Sequence, residues 1–324
     1  MLQSNPSCLA LIIAAVCAAI MGYAIQRGST CIVAAVDELI TKRRAHRFLS
    51  LAEAAAWVTA GALLWRILGR NIALPIGYPA GISTAAGGLL LGLGALVTRA
   101  CAFGVIARIG SGEWIYLLTP IGFFLGCLAA WPSIGQVPPM HVASPLFSAG
   151  WLLVPFAFFV AWRAIEGIRA GRSGMLAAHV WHPHRATTVI GIAFAVSLVA
   201  VGPWAYTSAL AAFAQGHRTD LLDKLGLLVI MLAGALVGGR TTGRLSWRIP
   251  TFETAIRCIA GGALMGWGTL LIPGGNDELL LVGMPLLQPY AWLAVASMVM
   301  AIGIGRLAER TLTLRYAAPG GNAK

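Results

Sequence analysis

One glycine pattern occurs twice in this chain. Gly87, Gly88, Gly92 and Gly94 lie in AGGLLLGLGALVTRACAFG, and Gly261, Gly262, Gly266 and Gly268 lie in AGGALMGWGTLLIPGGNDE. An offset of 174 carries the first set onto the second and superposes Ala86, Leu90 and Leu96 on Ala260, Leu264 and Leu270. That is an internal repeat. Each copy ends in an interruption, TRACAFG (98–104) and IPGGND (272–277), followed by an apolar stretch too short to span a bilayer. Small residues at this spacing let helix backbones approach closely inside a membrane. A long helix, a break and a half-helix, present twice, point to a transporter whose site is built by discontinuous helices.

The glycine helices are embedded in a chain that is 58% hydrophobic and only 10% charged, against roughly 25% charged for a soluble domain. Mean hydropathy is +0.81. Long apolar runs fall at 7–25, 49–68, 80–97, 113–131, 146–164, 187–213, 223–239, 253–271 and 289–305, with short ones after breaks at 32–41, 103–110 and 278–286. Their lengths fit helices crossing a bilayer, and they lack the alternation of a barrel. The expected fold is an all-α integral membrane protein of about nine transmembrane helices plus three half-helices. It is one polytopic membrane domain over 1–324: a first half-repeat over 1–131, connecting helices over 146–213, a second half-repeat over 223–305 and a basic tail over 306–324. The first apolar run has no Lys or Arg before it, so it lacks a signal peptide's basic region and is expected to be retained.

The net charge of +12 would suggest nucleic acid in a soluble protein, but here the cations sit in loops beside spans and report topology. Lys42, Arg43, Arg44 and Arg47 mark one cytoplasmic loop, Arg163, Arg169, Arg172 and Arg185 a second, Arg240, Arg244 and Arg248 a third, and Arg306, Arg310 and Arg315 the tail. The segment 131–145 has no Lys or Arg and belongs outside; Arg66 and Arg70 run against the pattern. Counting each helix, break and half-helix as one crossing puts the N-terminus outside and the C-terminus inside the cell. The two glycine copies then enter from opposite sides, as an inverted repeat requires.

Chemistry-bearing residues gather at the breaks. Arg27, Gly28 and Cys31 precede the half-helix at 32–41; Arg99, Cys101 and Gly104 flank the start of the next; Gly274, Gly275, Asn276 and Asp277 fill the second-copy break. Ionisable groups at membrane depth are expensive and usually functional. Half-helix N-termini and arginines favour an anion, and a thiol suits a ligand with a soft terminal sulfur. Asp277 has three readings: an ion pair with Arg27 or Arg99, a protonatable carboxyl that couples transport to protons, or a cap, together with Asn276, on the half-helix that follows. Cys8, Cys17, Cys127 and Cys258 read as small buried hydrophobes, and no two cysteines form a C-x-x-C. His179, His182 and His184, beside Arg185, lack carboxylate or cysteine partners and read as loop rather than metal site.

QRGSTCIVAA (26–35), the first glycine helix with TRACAFG (87–104) and the second with its break (261–277) resemble the YeeE/YedE family of sulfur-transport membrane proteins. The resemblance covers nearly the whole chain. It implies an hourglass-shaped fold, thiosulfate uptake across the cell (inner) membrane, and cysteines near a constriction that pass the ion along. Cys31 and Cys101 stand where the first two such cysteines would stand, while Gly275 takes the place of a third. The expected function is thus a non-enzymatic transporter or channel for a small sulfur-containing anion, thiosulfate first. Its partners would be the lipid bilayer and that anion, with no nucleic acid and no cofactor. The alternatives are a membrane-embedded partner that passes persulfide sulfur to a cytoplasmic sulfurtransferase, and a transporter of another small anion.

Overall fold

The computed structural model describes residues 7–69, 77–135, 137–138, 144–148, 150–173, 186–217, 220–246 and 250–317. Among these the regular structure is helical, without strands. The helices are α1 (Cys8–Gly28), α2 (Ile32–Lys42), α3 (His46–Ile67), α4 (Ile82–Thr98), α5 (Ala102–Gly110), α6 (Leu118–Ile134), α7 (Leu153–Arg172), α8 (Ala186–Val201), α9 (Tyr206–Ala214), α10 (Leu221–Thr241), α11 (Phe252–Leu271), α12 (Asn276–Glu278) and α13 (Pro289–Ala317). The short α12 continues as a π-helix over Leu279–Gly283.

Among the described residues seven helical stretches are long and apolar enough to cross a membrane, and α8 with α9, bent by 45° at their junction, makes an eighth if the pair is one span. The chain is therefore an all-α, multi-pass membrane protein, though length and apolarity do not reach the expected nine. The run at 146–164 falls short because α7 carries Arg163, Glu166, Arg169 and Arg172 in its second half. None of its residues is buried, and it is tied to the bundle at one polar node. There Arg163 Nε donates to Glu53 Oε1 of α3 at 2.8 Å, and Thr188 Oγ1 of α8 donates to the same oxygen at 2.6 Å.

The glycine helices α4 and α11 cross at the centre. A Cβ added at Gly94 would lie 2.5 Å from the Gly261 carbonyl oxygen, and one at Gly87 would lie 2.7 Å from that of Gly268. No larger residue fits such backbone contact. The contacts pair the start of one helix with the end of the other, so the two run antiparallel, and the offset of 174 exchanges one contact for the other. A twofold axis perpendicular to the helices does the same. On their other faces, Gly88 and Gly92 meet the backbone of α13, while Gly262 and Gly266 meet that of α6.

Among the described residues four helices are interrupted. The breaks follow Gly28, Thr98, Val201 and Leu271, and each new helix starts after an N-cap residue, Cys31, Cys101, Ala205 or Gly275, in extended conformation. Three of these breaks match the expected ones. The fourth, over 202–205, divides the apolar run at 187–213, expected to be continuous. Gly202 there has φ 82°, and Trp204 is buried with its indole N–H on Ser197 Oγ at 2.7 Å.

Several basic segments share one face. Arg47 and Arg244 both bond Ser29, the Ser246 amide donates to the Ser111 carbonyl, and Arg306 lies 3.8 Å from Asp37. Tyr78 packs edge-on against Tyr290 at the other end of the bundle. Arg70, Arg185, Arg248, the histidines at 179–184, the tail beyond Ala317 and, within the expected outer segment 131–145, residues 136 and 139–143 lie outside the described residues.

Candidate functional site

The breaks bring four helix N-termini together, and side chains from one half-helix cap the amides of another. Cys101 Sγ accepts the Ile32 amide at the start of α2, 3.3 Å away. Asn276 Oδ1 accepts the Ala102 amide at the start of α5, also at 3.3 Å; the two residues are 174 apart, so the bond joins equivalent positions of the repeat. Asp277 Oδ2 accepts the Thr207 amide of α9 at 3.4 Å, and its Oδ1 accepts the Thr207 hydroxyl. The Tyr206 hydroxyl closes the ring by donating to the Ala102 carbonyl at 3.1 Å. Each helix start has orphan N–H groups and a partial positive charge, so this arrangement concentrates positive potential in the protein interior.

Cys101 Sγ therefore lies against the N-terminus that Cys31 caps, one residue from Cys31 itself. Gly104 makes room for the Cys31 thiol, because a Cβ on it would come within 2.7 Å of Cys31 Sγ. Cys101 is fully buried, whereas Cys31 is half-buried. Cys31 lines a small cavity with Gly28, Ser29, Thr30 and Arg47. Gly275 is equally constrained: a Cβ there would fall 1.9 Å from Thr207 Oγ1. Gly274 lies beside the Glu278 carboxylate. The Glu278 carboxylate in turn accepts the Ser208 hydroxyl.

The arginines sit apart from this ring. Arg99 caps the C-terminus of α4 in a left-handed conformation, φ 57°, and its side chain is exposed while Cys101 two residues on is buried. Arg27 is half-buried with its guanidinium 5.7 Å from the Tyr23 ring centroid. Asp277, expected to pair with one of them or to cap its own helix, is held by Thr207 instead and caps α9. Cys17, Cys127 and Cys258 are buried as expected; Cys8, the first residue of α1, is exposed. Among the described residues no group of His, Cys, Asp and Glu could hold a metal ion. A far larger cavity of about 670 Å³ lies between α3, α7 and α8, lined by apolar residues such as Leu63, Phe156 and Ile192. Its lining is almost wholly apolar and offers an anion nothing.

Reading the sequence left out α9 with its Tyr206 and Thr207, and the reach of Arg47 and Arg244 to Ser29. A signal for the first was present: Gly202 and Pro203 interrupt the run, and Ala205 stands 174 residues after Cys31. Nothing in local spacing announces the second.

Interrupted helices meeting end to end inside an all-α bundle define the class: a multi-pass membrane protein with a polar site assembled from discontinuous helices. The family model for sulphur transport matches residues 27–304, a stretch that contains all four breaks, and the chain belongs to that family. It is similar to the thiosulfate transporter TsuA of Escherichia coli (strain K12), with 21% identity over 331 residues covering 89% of this chain and 91% of that protein.

Proposed function

We propose that this protein moves thiosulfate across the cell membrane, inward, through the junction of the four half-helices, and that it does so without chemical conversion. The observation that carries the reading is the convergence of two helix N-termini capped by cysteines, with Cys101 Sγ on the Ile32 amide beside Cys31. Helix ends attract an anion, while thiols offer soft contacts that exchange readily, and conduction needs binding weak enough to permit release. The relative's name supplies the substrate. Arg27 and Arg99 contribute to the field along the approach rather than to the constriction, and Gly28, Gly104, Gly274, Gly275, Asn276 and Asp277 shape the path.

The same reading divides the chain into two inverted halves joined by α7. One runs from α1 to α6 and the other from α8 to α13, so that 186–214, first assigned to the connector, joins the second half. Taking α7 as one further crossing, in spite of its charged second half, makes the halves opposite in orientation. The basic face is then cytoplasmic, with the N-terminus outside, and the membrane is the inner one.

Radiolabelled thiosulfate uptake into proteoliposomes, with sulfate and selenite as competitors, tests the function. Accumulation above protein-free vesicles, inhibited weakly by sulfate, is the expected result. No uptake, with labelling of Cys31 or Cys101 as a persulfide in mass spectra, would favour delivery of sulfur to a cytoplasmic sulfurtransferase.

A further inference from the structure

The small cavity beside Cys31 has a second wall that the ring of half-helices does not use. Arg47, at the start of α3, donates from Nη1 to the Ser29 carbonyl at 3.2 Å, and Arg244, in the loop after α10, donates from Nη1 to Ser29 Oγ at 3.2 Å. Two guanidinium groups, one from α3 and one from the loop after α10, thus converge on one residue of the first break, Arg47 as part of the cavity lining and the exposed Arg244 from outside it. Thr30 lines the same cavity, is 5% exposed, and its hydroxyl has no hydrogen-bond partner. A buried unpartnered hydroxyl is costly unless a ligand satisfies it. Ser50 and Thr187 complete the polar lining. One carboxylate is near, Glu38, which accepts the Arg47 backbone amide at 3.0 Å and leaves the guanidinium untouched.

We infer that Arg47, Arg244, Ser29 and Thr30 form an oxyanion-binding subsite on the basic face, which takes the sulfonate end of the transported anion while its terminal sulfur rests on Cys31. The inference rests on the thiosulfate reading above and assigns that ion an orientation. The chemistry divides along the ion: guanidinium groups and hydroxyls match hard oxygens, whereas the thiol matches the soft sulfur. The bonds to Ser29 are also suited to exchange. A carbonyl and a hydroxyl are neutral acceptors, and a charge-assisted bond to an oxyanion is roughly twice as strong, so an arriving dianion displaces Ser29 from both arginines. That exchange frees the start of α3 from the break and opens a cavity of about 10 Å³, which as it stands has room for about one water. Arg47 and Arg244 therefore act as a latch that the substrate itself releases.

The test uses the full chain in proteoliposomes with Arg47→Gln, Arg47→Lys, Arg244→Gln and, as the control for loss of charge nearby, Lys42→Gln, an exposed residue at the end of α2. Wild-type uptake, measured first, decides the thiosulfate reading on its own. Given that uptake, Arg47→Gln and Arg244→Gln should each raise the half-saturating thiosulfate concentration about tenfold, the loss of one charged hydrogen bond. Arg47→Lys should recover part of it, and Lys42→Gln should change nothing. Wild-type behaviour of both glutamine variants, or an equal effect from Lys42→Gln, overturns the subsite.

A second readout does not depend on transport. In a Cys8→Ser background, Cys31 should react faster with a sulfonate-bearing methanethiosulfonate than with its trimethylammonium counterpart. Arg47→Gln should reverse that preference. An unchanged ratio in a folded Arg47→Gln protein would also refute the subsite.

Discussion

The two pairs of half-helices share a backbone device and are closed by different side chains. In the first pair, α2 and α5, the N-cap residues are both cysteines; Cys101 caps α2, and α5 is capped by neutral Asn276. In the second pair, α9 and α12, the N-caps are Ala205 and Gly275, and the start of α9 is closed by the Asp277 carboxylate. A helix N-terminus carries roughly half a positive charge. Thiols and an amide leave that charge available to a visiting anion, whereas a carboxylate neutralises it from within. The repeat therefore supplies two equivalent scaffolds, and under the proposed function the side chains make only the first of them receptive.

Breaking the scaffold shared by both pairs should have the largest effect. Gly94→Leu would drive a side chain into the Gly261 carbonyl, 2.5 Å from the new Cβ, with an overpacking penalty of about 3 kcal/mol or more. We expect loss of monodisperse protein in detergent. Leu93→Ala, at an exposed neighbouring position, should give normal yield. Normal yield from Gly94→Leu would show that the crossing of α4 and α11 is looser than these contacts require.

Next in size is removal of sulfur from the receptive pair. Serine keeps a group able to accept the Ile32 amide, so Cys101→Ser should fold, and so should Cys31→Ser. Thiosulfate uptake should fall about tenfold in each, on the scale of one or two kcal/mol for a lost specific contact, with sulfate inhibition unchanged. Equal loss for both anions would mean that the thiols only shape the path. Wild-type rates in both variants would leave a generic anion route.

How much of this was legible in the sequence follows from the same comparison. The spans, the glycine crossing and the breaks at Cys31, Cys101 and Gly275 can be read because hydropathy and a fixed offset are one-dimensional signals. The break before Tyr206 leaves a weaker mark: hydropathy stays high over 187–213, and only Gly202, Pro203 and the 174-residue offset of Ala205 from Cys31 announce it. Hydropathy alone does not separate α9 from α8, so it offers Asp277 arginine or its own helix as partners and not Thr207. Arg99 shows a different limit. Its place two residues before Cys101 fixes its depth in the chain, but its left-handed backbone sends the side chain outward.

A smaller effect should come from making the second pair resemble the first. Gly275→Cys places a thiol at the position equivalent to Cys101, yet its Cβ would collide with Thr207 Oγ1 at 1.9 Å and with Thr207 Cβ at 2.5 Å. Alone it should destabilise the protein by about 1–3 kcal/mol, read as a lower midpoint in thermal unfolding followed by fluorescence. Combined with Thr207→Gly, which removes both atoms, it should regain part of that loss. Failure of the double variant to recover would show that Thr207 matters here for its bond to Asp277 rather than for the space it fills.

The finest test concerns Asp277 itself, because it separates capping from charge. Asp277→Ala removes both: the Thr207 amide and hydroxyl lose their acceptor, which should cost about 1 kcal/mol as for other N-caps. Asp277→Asn keeps a side-chain oxygen for the Thr207 amide and removes only the charge, so its stability should stay close to that of the wild type. If the carboxylate is what makes the second pair unreceptive, the asparagine variant should take up thiosulfate with a lower half-saturating concentration and should be inhibited more strongly by sulfate, since the start of α9 is then open to any anion. Both shifts should be a few-fold, because the helix charge is partial and the residue lies beside the thiol contact rather than in it. A variant with wild-type affinity and selectivity would mean that the carboxylate does not compete with the substrate. The contrast between the two halves would then rest on the cysteines alone.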